Sequence, residues 1–467
     1  MRRPFVRSLR VALMPVLCVG AAACAARHGP GRRDAEPRLA PHNDAKSTSL
    51  DPTPIYRRAG LLAVSEPLPF VGSVHYLAGS SPDTTLMLLS LSMANHALTF
   101  SAEDDTPRAA YTVVADVRSA TSSGGAPMRH MEAHEIVRIA SLKDASRSDP
   151  SIVFQKFIAL APGAYTCTVS VQDDGSIRTG AQEIRVTVPR LGAGTLSSPV
   201  PVYQVAARST RDTTPGLIAN PRATIVFGRD SAMQMYMEGY GMPASARIGV
   251  LARDRDGSVV WRDTVTMAGS DSLDAAVISV PASRIGVGQF EVEAAPVGGA
   301  DTVQSPLFVS FFDEGAIASF EDMLSYLRYF AAPDQLDALR NTAPANRAAA
   351  WAAFWRATDP APTTPEHEGI RAYFARLQMA NDRFRDEGIA GWLTDRGKVF
   401  ITLGEPDQIL SPGPMPDDRG RMESWVYSQQ HLELVFVNRS GSGERWQLTA
   451  QSAMEFEAAV QRMRSHS

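Results

Sequence analysis

Asp395, Glu405 and Asp407 are the side chains of this sequence best placed to do chemistry, because Asp395 and Asp407 bracket one short apolar run. Two carboxylates brought together can divide acid and base duties or hold a hard cation. The run between them, residues 398–403, reads as a short apolar strand. Such a strand keeps its ends apart: about six extended residues at ~3.3 Å each separate them by ~20 Å. Catalytic carboxylate pairs sit within about 10 Å. The preferred reading is therefore structural, with Asp395 capping a turn, Arg396 pairing with a carboxylate, and Pro406-Asp407 shaping a loop. Trp392, just upstream, has the same two readings. It either offers its face to a sugar ring or an aromatic side chain, or wedges a helix against a sheet, and the wedge is preferred.

Other residues with chemical potential are weaker. His130-Met131-Glu132-Ala133-His134 places two histidines four apart, which on a helix would share a face. The metalloprotease order puts Glu directly after the first His; here Glu132 comes one place late, between strand-like runs, and a solvated loop is expected. Asp254-Arg255-Asp256-Gly257 lacks the remaining ligands of a calcium loop and reads as a hairpin tip. The chain has no G-x-S-x-G, no P-loop and no G-x-G-x-x-G. No catalytic residue, metal ligand or cofactor is assigned.

The elements that must position these residues follow from composition and periodicity. With 467 residues the chain is too long for one core, and about three domains are expected. A formal net charge of -4 offers no basic surface for a phosphate backbone, so nucleic acid is not an expected partner. Residues 1–24 read as an export signal. Arg2, Arg3, Arg7 and Arg10 form a positive start, a short apolar stretch broken by Pro15 follows, and Ala21-Ala22-Ala23-Cys24 looks like a lipobox whose Cys24 would be acylated. Residues 25–54, rich in Arg, Pro, Ala, His and Asp, read as a flexible tether.

Two strand-rich stretches follow, residues 55–205 and 220–312, read as tandem immunoglobulin-like β-sandwiches. In residues 164–171, Tyr165, Cys167, Val169 and Val171 alternate with Thr166, Thr168 and Ser170, so Cys167 is expected to pack as a small hydrophobe. An echo links the two stretches: Gly163 with Tyr165 in the first, Gly288 with Phe290 in the second. From residue 313 to 467 the pattern turns α+β. A helix is expected after Thr363-Thr364-Pro365-Glu366, then strands near 398–403, 423–427, 432–437 and 445–449 in an antiparallel meander, then a helix over 453–463.

Within that last region Gly391-Trp392-Leu393-Thr394-Asp395-Arg396-Gly397 runs into a strand-like segment and then Gly404-Glu405-Pro406-Asp407. Upstream stands Phe354-Trp355-Arg356-Ala357-Thr358-Asp359-Pro360, and downstream Trp425-Val426-Tyr427. Together these resemble the GWxTD-domain family over about the last third of the chain, with Glu405 departing from a position where the family often has proline. The resemblance implies an exported, often multidomain envelope protein with β-sandwich modules upstream, and brings no established active site. The signature residues carried as a possible binding surface are Gly391, Trp392, Thr394, Asp395, Arg396, Gly397, Gly404, Pro406, Asp407, Trp425 and Tyr427. The Gly404-x-Pro406-Asp407 turn followed by a W-x-Y strand is also similar to small lipoproteins of outer-membrane barrel assembly.

The function expected is non-catalytic binding or assembly work by a protein attached to the membrane through a lipid anchor. Ala25 after Cys24 is not the aspartate of inner-membrane retention, so by resemblance to known lipoproteins the outer membrane is the expected destination. The partner would be an envelope protein or a surface polysaccharide. The alternative is a periplasmic or surface hydrolase acting on glycans or peptides with the acidic residues of the last domain; a third reading is an architectural spacer.

Overall fold

Period-two alternation builds the first half of the chain. The computed structural model describes residues 50–103, 106–120, 127–146, 152–243, 245–270, 272–311, 318–364, 367–385, 389–414, 420–439 and 445–466. The expected signal, Cys24 and most of the tether lie outside the described residues. Helix α1 (Thr53–Arg58) leads into β1 (Leu62–Val64), β2 (Phe70–Ala78), β3 (Thr85–Met93), β4 (Ser101–Glu103), β5 (Thr106–Ser119), β6 (Arg129–Arg138), β7 (Ile152–Leu160), β8 (Gly163–Asp173) and β9 (Thr179–Val188). One sheet runs β1-β2-β3-β7; the other runs β4-β5-β8-β9 with β6 on β5. Their inward residues share one core that includes Leu89, Leu91, Val113, Val169 and Val171. Cys167 is buried in it, and burial pushes its thiol up to about 11. It packs as a small hydrophobe, as its place in the alternation requires.

The second half of the β region holds β10 (Thr195–Leu196), β11 (Val200–Ala206), β12 (Gly216–Ala219), β13 (Thr224–Val226), β14 (Ala232–Tyr240), β15 (Arg247–Asp254), β16 (Val259–Thr266), β17 (Ala268–Ser270), β18 (Leu273–Pro281), the short helix α2 (Ala282–Ile285), β19 (Gly288–Pro296) and β20 (Val303–Ser310). One sheet runs β12-β11-β14-β18-β17 with β10 on β14, the other β13-β20-β19-β15-β16. Two boundaries therefore differ from those expected. β10 and β11 pair with β14, so residues 195–205 belong with the second pair of sheets, not with residues 55–205. The end of the supposed tether is structured too: Leu50 lies in a core and Thr53 opens α1. Alternation reveals that a strand exists but not which sheet it joins, and a six-residue helix is too short to show a period.

The two pairs of sheets are locked together by a buried ion pair. Arg208 and Glu238 have side chains 1% and 0% exposed. Arg208 Nε and Nη2 each donate to Glu238 at 2.8 Å. Nη2 also donates to the Ala78 carbonyl at 2.6 Å, and Nη1 to the carbonyls of Thr213 and Arg211. The hydroxyls of Tyr236 and Tyr240 donate to the two Glu238 oxygens at 2.7 and 2.6 Å. All five N–H donors of the guanidinium are thus engaged, and Ala78 brings the end of β2 into the network. Burial, with the Glu238 charge adding to it, raises both tyrosines well above their usual range.

The C-terminal region contains α3 (Phe320–Tyr326), α4 (Pro333–Arg340), α5 (Arg347–Thr358), α6 (Glu368–Arg383), α7 (Asp395–Leu403), β21 (Gln408–Pro414), β22 (Arg421–Tyr427), β23 (Leu432–Asn438), β24 (Gln447–Leu448) and α8 (Ala450–His466). The antiparallel meander is present in the order β21-β22-β23-β24. Its first strand is residues 408–414, however, and the run 398–403 expected as that strand is helix α7. The helix expected after Thr363-Thr364 starts at Glu368, and its cap is His367, whose Nδ1 accepts from Ile370 N at 3.0 Å. Helices and second sheet pair share one core, in which Phe311 stacks on Trp355 at 5.8 Å and meets Trp351 edge-on at 5.4 Å. Gly228 is required there, since a Cβ would stand 2.5 Å from the Trp355 ring. Among the described residues no helix is long and apolar enough to cross a membrane.

Candidate functional site

The signature block is assembled by local rules that make it a helix start. Thr394 is extended (φ -74°, ψ 161°) and its Oγ1 accepts from Gly397 N at 3.0 Å while donating to the Gly391 carbonyl at 2.8 Å. That is an N-cap with Asp395 in the first turn, where the helix dipole favours a negative charge. Gly404, at φ 87°, ends α7 in a conformation that suits glycine. Gly397, Val399, Phe400 and Ile401 are all buried, so the helix shows no one-sided stripe and its apolar run imitates a strand. The caps, Thr394 and Gly404, were the available signal for a helix.

Each signature residue has a packing duty. A Cβ at Gly391 would stand 2.6 Å from the Asn381 carbonyl oxygen, and one at Gly397 would overlap the Gly391 carbonyl oxygen outright. Trp392 is fully buried, edge-on to Tyr326 at 5.5 Å and to Tyr329 at 6.5 Å, with the Arg328 guanidinium over its ring at 5.1 Å. Asp395 Oδ2 accepts from Leu448 N at 2.8 Å, pinning α7 to β24. The Arg396 guanidinium lies between the rings of Phe384 and Trp446, 5.3 and 5.2 Å from their centroids. Pro406 and Trp425 are buried, and the Tyr427 hydroxyl donates to the Gly404 carbonyl at 3.1 Å. Asp407 accepts from Ser428 N at 2.6 Å, and Glu405 holds Arg383 with both contacts under 3 Å, at 2.6 and 2.8 Å. Of residues 391–397 Leu393 is exposed; the others are buried or half-buried, and they wedge α6, α7 and the meander together.

The carboxylates do not converge. Nine residues of helix at about 1.5 Å rise separate the ends of α7 by ~13 Å, shorter than a strand allows but still beyond the reach of an acid/base pair. The histidines also stand differently from expectation, on β6 rather than in a loop. His130 Nδ1 sits 2.8 Å from Asp116 Oδ1, His134 Nδ1 2.8 Å from Thr112 Oγ1, and both Nε2 atoms face the Glu132 carboxylate at 3.7 and 3.3 Å. The hydrogen bond to Asp116 raises the His130 pKa. Among the described residues no group of three His, Cys, Asp or Glu could hold a metal ion.

A concave site lies instead at the seam between the second sheet pair and the helices. A cavity of about 320 Å³ opens among the β15–β16 tip, the start of β19, and the first residues of α3 and α5. Asp254 accepts from Arg347 Nη1 at 3.1 Å and from Asp256 N and Ser258 N at 3.1 and 2.9 Å. Arg347 also lies over the Phe320 ring at 4.1 Å. Two of the lining residues, Arg347 and Gln289, each also carry a nitrogen, Nε and Nε2, buried behind the cavity surface with no hydrogen-bond partner. Sequence reasoning found Asp254 only as a hairpin residue and missed Arg347 and Gln289. Arg347 is 93 positions from Asp254, and no local pattern announces such a pairing.

Comparison with known proteins gives a family match and remote structural likenesses. Residues 307–464 match the GWxTD domain. No curated protein matches the chain. Trypsin-activated alpha-2-macroglobulin from Escherichia coli is similar at 10% identity over 55% of this chain and 18% of that one, with a TM-score of 0.17. The Bifidobacterium dentium beta-glucuronidase complexed with coumarin-3-O-glucuronide is similar at 10% identity over 59% of this chain and 53% of that one, also with a TM-score of 0.17. Those shares, 18% and 53%, leave much of both chains without a counterpart here. The caps, the paired glycines, the buried Trp392 and the W-x-Y strand agree with the family match: the C-terminal third of the chain, residues 307–464, is a GWxTD domain.

Proposed function

We propose that this is a lipid-anchored cell-envelope protein of the outer membrane whose role is non-catalytic binding, with the seam cavity receiving the bound group. The observation that supports the reading is the cavity itself, about 320 Å³, lined by the charged groups of Asp254, Arg255, Asp256, Glu321 and Arg347 beside the apolar side chains of Val287 and Phe290. The acidic residues of the GWxTD domain support binding over hydrolysis, because Asp395, Asp407 and Glu405 each hold a different structural partner. The paired sheets are read as immunoglobulin-like modules. In support, the Tyr165 hydroxyl donates back to the Ala161 carbonyl at 2.9 Å, the corner contact of such sandwiches. The ring of Tyr165 lies over Gly163 as that of Phe290 lies over Gly288.

Anchoring rests on Cys24 within Ala21-Ala22-Ala23-Cys24. Full-length protein is expected to incorporate a radiolabelled fatty acid and to sediment with outer membranes, while Cys24→Ala loses the label and becomes soluble. A label that survives Cys24→Ala, or a wild type that stays soluble without one, would end the lipoprotein reading.

A further inference from the structure

We infer that a second cavity, beside the first, is a site for a terminal phosphoryl group. Its volume is about 430 Å³, and it lies against β16, α2 and the start of α5, sharing Val260 with the seam cavity. The charged residues that line it are of one sign: Arg262 from β16 and Arg284 from α2, joined by Ser283, with no carboxylate. Ala345, Ala348 and Ala349 form the opposite wall. Their methyl side chains leave the space open, and α5 carries no acid in its first turn. Neither arginine is engaged within the chain. Both are exposed, and among the described residues neither has a hydrogen bond, an ion pair or a ring contact. For Arg262 the strand register gives the reason: Leu251 stands opposite it on β15, with Gly249 and Arg253 on the diagonals. Glu293, one strand further on, is already taken by Arg253 at 2.9 Å.

The lining sets the occupant. Guanidinium groups donate and never accept, so an occupant must bring acceptor oxygens and negative charge. A terminal phosphoryl group carries about two negative charges at neutral pH and three strong acceptor oxygens, which matches two guanidiniums and a hydroxyl. A carboxylate brings a single charge and leaves one arginine unmatched. The chain as a whole has a net charge of -4, so an anion gains nothing from the overall field and must be recognised locally. The seam cavity, by contrast, sets Asp254, Asp256 and Glu321 against Arg255 and Arg347 and does not select an anion.

The test is calorimetric titration of the full-length protein in nonionic detergent with inorganic phosphate, glycerol 3-phosphate, glycerophosphoglycerol and succinate. Wild type is expected to bind phosphate and glycerol 3-phosphate with a Kd of about 1 mM or below. Arg262→Gln and Arg284→Gln are each expected to bind them about tenfold more weakly, the loss of one charge-assisted contact. Both variants are expected to melt with wild type, because exposed side chains without partners contribute little to the fold. Arg185→Gln removes the same charge from an exposed position on β9 and is expected to bind like wild type. No binding by wild type, or binding unchanged in Arg262→Gln and Arg284→Gln, overturns the assignment. An equal loss in Arg185→Gln would show overall charge at work and overturn the site. Glycerophosphoglycerol, the deacylated head group of a phospholipid, separates a lipid source from a free phosphate ester. If it binds more tightly than glycerol 3-phosphate, or if succinate binds as tightly as phosphate, the terminal phosphoryl group is overturned as the occupant. The seam cavity is lined by neither arginine, so its own reading stands or falls separately.

Discussion

Glu238→Ala is expected to destabilise the protein by about 3–5 kcal/mol and to split its urea unfolding into separate transitions. The substitution leaves Arg208 with its charge buried, its side chain being 1% exposed, and with two of its five donors unpaired. It also takes the acceptor from the hydroxyl protons of Tyr236 and Tyr240, leaving Tyr240 only the Ala78 N–H it accepts at 2.8 Å. The splitting follows from position. The same guanidinium holds the Ala78 carbonyl at the end of β2, so the network is a tie between the two pairs of sheets as well as a core contact. Replacing both partners, as in Arg208→Met with Glu238→Leu, removes the buried charge altogether and is expected to recover much of the loss. Urea titration followed by tryptophan fluorescence and far-ultraviolet dichroism reads both effects. A midpoint within error of wild type, or coincident probes in Glu238→Ala, would show that the sheets are held by their apolar contacts alone.

Trp392→Ala is expected to cost about 3–5 kcal/mol, which makes it a stability variant and not an interface probe. Its ring is fully buried among Tyr326, Tyr329 and Arg328, and no neighbour is free to refill the space. Gly397→Ala tests the same wedge from the opposite direction by adding volume. The new methyl would collide with the Gly391 carbonyl, backbone that is itself pressed against the end of α6, and about 3 kcal/mol is expected, the upper part of the overpacking range. Thermal melts of both variants should fall together. A Trp392→Ala protein with wild-type stability that fails to bind a partner would return the signature to the status of a contact surface.

How much was legible in the sequence depended on whether a residue's partner was near in the chain. Cys167 and its neighbours could be placed because alternation alone decides which side faces in, and the Gly163–Tyr165 and Gly288–Phe290 echo was visible as spacing. Trp392 as a wedge, the last three strands of the meander and the final helix also followed from local pattern. Helix α7 was misread as a strand because burial on nearly every side erased its period, although Thr394 and Gly404 mark both its ends. The boundary near residue 205 was misplaced because β11 pairs with β14 across about thirty residues. The cavity was not legible at all: Asp254, Gln289, Phe320 and Arg347 come from four separate elements.

Binding in the seam cavity, with the signature block holding the fold, can be read by hydrogen–deuterium exchange on the full-length protein with and without a soluble glycan fraction from the envelope. Slowed exchange is expected in peptides covering residues 254–260, 287–290 and 319–321. Protection confined to β21, where Ile409 and Leu410 stand exposed on the edge of the meander, or protection nowhere, would contradict it.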